Sequence, residues 1–175
     1  LPELKASRSQ SSDIKILNFD SEDKEMQFVI DKIKVSNTPK NQIFVLARTN
    51  KTIGNLSKLM RENGIKHLVK TEDLNRDEEA AFDEAVLATV HSIKGLEANT
   101  VFLVGCNSLN FPCKASDNPI VELVRIYDYD KEEEERRLFY VALSRAKNTL
   151  YLTYSGKSPT RFINSDMLRI INKSF

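Results

Sequence analysis

Three short runs, Ile43-Phe44-Val45-Leu46-Ala47, Val86 to Val90 and Val101 to Val104, are apolar at almost every position instead of at alternate ones. An extended segment of that kind needs cover on both faces, the condition of a strand inside a parallel sheet with helices above and below it. Amphipathic stretches of the right period lie beside these runs. Met26, Val29, Ile30 and Ile33 recur at helical spacing over Glu22 to Ile33, behind Asp20 and Ser21, either of which can cap the helix. Ile53, Leu56, Leu59 and Met60 line one side of Lys51 to Asn63, and Asn63-Gly64 suits a left-handed cap at its end.

Further strands are expected at Ile14 to Phe19, Ile65 to Val69 and Leu150 to Tyr154, with a helix over Glu132 to Lys147. Strands alternating with helices predict one α/β domain over residues 1–175, built on a mainly parallel sheet. The acidic stretch from Glu72 to Glu84 reads as a loop or an exposed helical turn. Asn107 to Asp130 reads as a long irregular connection holding Pro112 and Pro119, and a last helix is expected from about Asp166 to Asn172.

Charge excludes a whole-molecule field as the means of holding a polyanion. Lys and Arg number 26 against 25 Asp and Glu, so a nucleic-acid contact must come from a local patch. Cys106 and Cys113 have no metal-ligand spacing, and His67 and His91 stand far apart, so no metal site is expected. No apolar run approaches the roughly 20 residues that a membrane helix requires. None of the five glycines opens a G-x-x-x-x-G-K-[ST] element, so the chain lacks a Walker-type phosphate loop of its own.

Two segments concentrate groups with chemical use. In Leu87 to Glu97, LATVHSIKGLE, a buried strand runs into Thr89, His91, Ser92 and Lys94, turns at Gly95 and delivers Glu97. Ligands of open α/β sheets bind beyond the carboxyl ends of strands, and hydroxyls, an imidazole and free N–H groups there can hold phosphate oxygens. Glu97 could accept hydrogen bonds from a vicinal diol such as a ribose. The same residues also read as a polar strand-to-helix turn. In Lys131 to Leu150, KEEEERRLFYVALSRAKNTL, Glu132 to Glu135 favour the positive end of a helix dipole, and Phe139, Ala142, Leu143 and Ala146 form a stripe for the sheet. Arg145 then emerges on the flank of an apolar surface, either snorkelling to solvent or aimed at an anion such as a phosphoryl group.

Together the segments resemble a known family. LATVHSIKGLEANTVFLVG is similar to motif V of UvrD/Rep-type superfamily 1 DNA helicases, T-x-H-x-x-K-G-L-E before an apolar strand. EEERRLFYVALSRAKNTLYLT resembles motif VI, E-E-R-R-L-x-Y-V-A-x-[ST]-R-A, with Ser144 where the family often has Thr. IFVLARTNKTIGNLSKLMRENGIKH resembles the preceding element, a strand ending in R-T-N before a helix, and the three occur in family order. NFP at Asn110 to Pro112 and PTRFI at Pro159 to Ile163 also sit where the family has similar short sequences.

The resemblance implies a RecA-like, P-loop NTPase-like three-layer domain: the C-terminal of two that clamp ATP and move along single-stranded DNA or a duplex junction. It implies that Arg145 is the catalytic arginine finger, that Gly95 and Glu97 join it in holding nucleotide, and that Arg48, Thr89 and His91 contact DNA. ATP and Mg2+ belong to the full-length protein, the metal being held by the N-terminal RecA-like domain, and neither is expected on this piece alone. A cytoplasmic setting follows, with no membrane partner. Larger relatives carry a helical insertion where this chain has only TEDLNRDEEAAFDEA between Lys70 and Val86, so the resemblance is to the compact form. Two other readings fit the same motifs: the equivalent domain of a helicase–nuclease subunit, and a non-catalytic nucleic-acid-binding module that keeps the fold.

Overall fold

The structure, a computed structural model, describes residues 13–71, 78–93, 95–113, 131–165 and 167–168. Most of the connection from Asn107 to Asp130, part of the acidic stretch from Glu72, Lys94 and most of the helix expected from Asp166 lie outside them.

Among these residues six strands form one parallel sheet: β1 (Asp13–Phe19), β2 (Ile43–Ala47), β3 (His67–Lys70), β4 (Ala85–Thr89), β5 (Ala98–Leu103) and β6 (Ala146–Ser155). Their order across the sheet is β1-β6-β5-β2-β4-β3, which puts β5 and β2 at its centre. Among the described residues three α-helices cover it: α1 (Glu22–Val35), α2 (Asn50–Glu62) and α3 (Lys131–Leu143).

Residues adjacent in a strand point to opposite faces. The continuous apolar runs therefore feed two cores at once. Ile43, Val45, Ala47, Ala85, Leu87 and Phe102 pack on one face with Met26, Val29, Ile30 and Ile33 of α1 and Ile53, Leu56 and Met60 of α2. Phe44, Leu46, Val86, Ala88, Val101 and Leu103 pack on the other with Leu138, Phe139 and Ala142 of α3. This is the three-layer α/β architecture that the apolar runs predict. Phe111 and Phe162 seal the second core against Phe139, at centroid separations of 5.2 and 5.7 Å. The segments carrying them are tied together by Thr160, whose Oγ1 donates to the Phe111 carbonyl at 2.7 Å.

Ser21 caps α1, its hydroxyl accepting from the Lys24 amide at 3.3 Å, and Thr49 caps α2 in the same way through Thr52. One helix end differs from the expectation by a full turn. α3 stops at Leu143, not at Lys147, and β6 begins at Ala146 instead of Leu150. Pairing with two neighbours decides this boundary: Ala146 aligns with Ala98 of β5, and Thr149 aligns with Asp13 of β1. Asn148 and Thr149 are weak helix formers, so the sheet takes over the segment at little cost.

Candidate functional site

In a parallel sheet all strands share one carboxyl edge and one amino edge, and the motif residues divide between the two. At the carboxyl edge, β2 ends at Ala47 beside Thr89, the last residue of β4, and the Val90 amide donates to the Ala47 carbonyl at 3.0 Å. Arg48, Thr89 and His91 thus gather at the ends of two adjacent strands. Thr89 is 5% exposed and its hydroxyl shares a 2.7 Å hydrogen bond with Ser92 Oγ; His91 is half-buried.

Arg48 does not project alone from this edge. Its Nε donates to both oxygens of Glu135 at 3.1 and 3.0 Å, and Nη2 donates to Oε1 at 2.5 Å. Glu135 Oε2 also accepts from the backbone amide of Cys113 at 3.0 Å. In sequence Glu132 to Glu135 form one helix-start charge run. The structure separates Glu135, which is 3% exposed, from Glu132 and Glu133, which make i,i+4 ion pairs with Arg136 and Arg137. Helical spacing from the buried Leu138 and Phe139 was the available signal, since position 135 shares their face.

A cleft of about 470 Å³ opens on the same edge, between the first turns of α1 and α2 and the loops after β5 and β6. Its floor holds Glu25, 2% exposed, whose Oε1 accepts from the Gly105 amide at 2.7 Å and from Thr153 Oγ1 at 2.6 Å. Burial pushes the Glu25 carboxyl above its ordinary range, and the Thr153 and Gly105 bonds offset part of that rise. In sequence Glu25 looks like its acidic neighbours in the first turn of α1, Glu22 and Asp23, and only its burial distinguishes it.

The amino edge holds the other group. Residues 90–97 carry the chain from the end of β4 to the start of β5, with Gly95 at φ +84° and both Gly95 and Glu97 exposed. Glu97 is therefore not beyond a carboxyl strand end, and the turn leads into a strand rather than a helix. Eight residues span the full height of the sheet, so one motif contributes to both edges. Arg145 lies in the two-residue turn between α3 and β6, not on a helix flank, because α3 has already ended.

Close bonds tie Arg145 to the Gly95–Glu97 loop. Its carbonyl accepts from the Ala98 amide at 3.0 Å, and Nη1 donates to the Leu96 carbonyl at 3.2 Å. Nε donates to the Val141 carbonyl at 2.9 Å and Nη2 to Ser144 Oγ at 2.9 Å. Lys147 Nζ stands 3.9 Å from Glu97 Oε2. Gly95, Glu97 and Arg145 thus share one exposed corner with a fixed guanidinium, an accessible carboxylate and a glycine backbone that a ligand can approach. Arginine in that setting can donate a planar fork to a phosphoryl group. The two groups of candidates are separated by the height of the sheet, about 15 Å for a five-residue strand.

Among the described residues no three His, Cys, Asp or Glu side chains are placed to hold a metal, and no helix is long and apolar enough to cross a membrane.

Comparison with known proteins places this arrangement in a family. The model of the UvrD-like helicase C-terminal domain matches residues 2–79 and 65–157. A probable DNA helicase II homolog of Mycoplasma pneumoniae is 42% identical over 126 residues, covering 67% of this chain and 16% of that protein. The ATP-dependent DNA helicase PcrA of Bacillus subtilis is 37% identical over 95 residues, covering 54% of this chain and 12% of that protein. This chain thus spans a small part of the relatives it matches. Among solved structures, the C-terminal domain of a possible DNA helicase from Lactobacillus plantarum superposes with a TM-score of 0.65 at 17% identity, covering 90% of this chain and 84% of that one. The Escherichia coli DEAD-box protein SrmB, in its complex with RraA, superposes with a TM-score of 0.56 at 11% identity over 96% of this chain and 88% of its own. The fold of both is the RecA-like α/β domain found here, and with a family model matching along most of its length, the chain belongs to the UvrD-like helicase C-terminal domain family.

Proposed function

We propose that this chain is the C-terminal motor domain of an ATP-dependent DNA helicase, working in the cytoplasm as one half of a two-domain ATP site. The observation that carries the reading is the division of the motif residues between the two sheet edges. Gly95, Glu97 and Arg145 form one corner and are assigned to nucleotide; Arg48, Thr89 and His91 form another and are assigned to the strand of DNA or to a duplex junction. A motor needs both sites on one rigid body, at a separation that keeps the ligands from competing.

In this reading Arg145 is the arginine finger. Its guanidinium, steadied by the Ser144 hydroxyl, leaves the Leu96 carbonyl to donate to phosphoryl oxygens as negative charge develops on them, while Glu97 accepts from the ribose hydroxyls. ATP supplies the transferable phosphoryl group, and Mg2+ is held by the N-terminal RecA-like half, because this chain has neither a Walker loop nor a described carboxylate cluster. Arg48 is held by the buried Glu135 carboxylate, so its part in DNA contact is that of a donor fixed at the strand end rather than of a mobile side chain.

The test uses the full-length protein. Arg145→Ala lowers DNA-stimulated ATP turnover by roughly a thousandfold or more while DNA binding stays measurable. Unchanged turnover would remove Arg145 from the role. The isolated chain is expected to show no Mg2+-dependent ATP hydrolysis, and clear hydrolysis by it would refute the half-site reading.

A further inference from the structure

Arg48 and Glu135 are 87 positions apart in sequence and form a bidentate, buried ion pair. Arg48 follows β2 directly, at the edge carrying Thr89 and His91. Glu135 sits in the second turn of α3, the helix that ends one residue before Ser144-Arg145. Both Glu135 oxygens accept from Arg48, and Oε2 accepts in addition from the Cys113 amide, so one carboxylate clamps the end of β2, the 111–113 turn and the start of α3. The pair has side-chain exposures of 16% and 4%, so solvent does little to screen it. Neither partner can leave without stranding a buried charge, which makes the two ends move together.

From Glu135 to Arg145 is ten residues, eight of them helical, or about 12–15 Å along a stiff rod at the rise of an α-helix. α3 is fixed to the sheet by Leu138, Phe139 and Ala142, which face the core between those points. A shift of the strand end at the carboxyl edge therefore reaches the turn holding Arg145 as a tilt or slide of one helix.

We propose that Glu135 is a positioning residue that couples DNA occupancy at the carboxyl edge to the placement of Arg145 at the amino edge. The proposal rests on the assignment of those two edges made above. It requires Glu135 to touch neither ligand. The buried carboxylate transmits the position of Arg48 to α3, and α3 carries Arg145.

Coupling of this kind has a signature that a fold defect lacks. In the full-length protein, Glu135→Gln keeps the shape and an acceptor for Arg48 but removes the charge. Steady-state ATP turnover is measured without DNA and across a titration with single-stranded oligothymidine, with the KM for ATP taken at both extremes. The expected result is an unchanged DNA-free rate and KM, with the DNA-stimulated kcat lowered roughly tenfold, within the usual range of coupling between sites. Glu135→Asp, which retains the charge on a shorter stem, recovers part of the stimulation. It also serves as the readable variant should Glu135→Gln fail to give soluble protein, its expected result being a partial loss of stimulation at an unchanged DNA-free rate. Stimulation equal to wild type in both soluble variants overturns the proposal, and so does an equal loss of the DNA-free and stimulated rates. Arg145→Ala run in parallel separates the two assignments. If it abolishes turnover while the Glu135 variants are stimulated normally, the arginine finger stands and the coupling role falls. If it leaves turnover intact, the finger assignment falls, and the coupling proposal with it.

Discussion

Arg145 Nη1 donates to the Leu96 carbonyl at 3.2 Å, joining the turn after α3 to the loop before β5 across 49 residues of sequence. Beside it, Ser144 Oγ accepts from Arg145 Nη2 at 2.9 Å while donating to the Val141 carbonyl at 2.8 Å. The hydroxyl is thus fixed by the helix end and in turn fixes the guanidinium. Replacing it changes where the arginine points without changing its charge. Ser144→Thr keeps both bonds and should match wild-type turnover. Ser144→Ala should lower kcat in the full-length protein by an amount clearly smaller than Arg145→Ala, of the order expected for loss of one hydrogen bond to a charged group, about 1.5–3 kcal/mol. Steady-state kinetics of the three variants check the ranking, and a Ser144→Ala protein as fast as Ser144→Thr would dissociate the hydroxyl from the role proposed for Arg145.

Gly95 occupies the left-handed region at φ +84°, and a Cβ placed there would meet nothing within 4 Å. Conformation, not space, is what restricts the position. Gly95→Ala should therefore destabilise the domain by about 1–2 kcal/mol, the cost of an L-residue in that region. Chemical denaturation monitored by circular dichroism measures it. A cost near zero would mean that the loop relaxes away from the described backbone, and with it the Leu96 carbonyl that Arg145 engages.

Cys106 is fully buried, and burial, with a smaller contribution from the Glu25 charge, pushes its thiol well above the ordinary 9.0. The thiolate is the reactive form, so the folded protein should protect this residue from alkylation. Iodoacetamide labelling followed by peptide mass analysis should leave Cys106 unmodified under native conditions at pH 8 and modify it in 6 M guanidinium chloride, a concentration high enough to unfold domains of ordinary stability. Rapid native labelling would contradict the close packing of the loop after β5.

Much of this fold is legible in the residues because its strands are buried on both faces. Ile43 to Ala47 has no polar position, and such a run has one place to go in an α/β domain. The helices α1 and α2 are legible for a related reason: each has an apolar stripe of helical period, backed in α1 by Ser21, one of its two capping candidates, and in α2 by Asn63-Gly64 at its end. The end of α3 is not, because its boundary at Leu143 is set by Ala98 and Asp13, partners 48 and 136 residues away in sequence from their pairing positions in β6. The site was legible as motifs, but not as two edges. Sequence order places Thr89 and Glu97 eight residues apart, and only the direction of the strands shows that the sheet lies between them. Glu135 was hidden for another reason: four consecutive glutamates look alike in sequence, and burial distinguishes one of them.

Glu25 gives the protein a pH dependence whose direction follows from its surroundings. Its Oε2 is buried with no well-formed hydrogen bond among the described residues, and burial outweighs the opposing effects of Thr153, Gly105 and the weaker Ser155 contact, so the folded-state carboxyl titrates above its ordinary 4.5. A carboxyl with a raised folded-state pKa binds its proton more tightly in the folded protein than in the unfolded chain. Its contribution to stability is then complete below the unfolded pKa and is lost as pH rises through the folded one. Glu25→Gln keeps a carbonyl oxygen for Gly105 and Thr153 and cannot ionise. The difference in Tm, variant minus wild type, should therefore rise from pH 4 to pH 8, because only the wild type must bury a charge at the higher pH. Thermal melts of both proteins across that range measure the difference. A difference that stays flat, or falls, would mean that the carboxylate finds a partner for Oε2 in solution and that the floor of the cleft is not the desolvated site described.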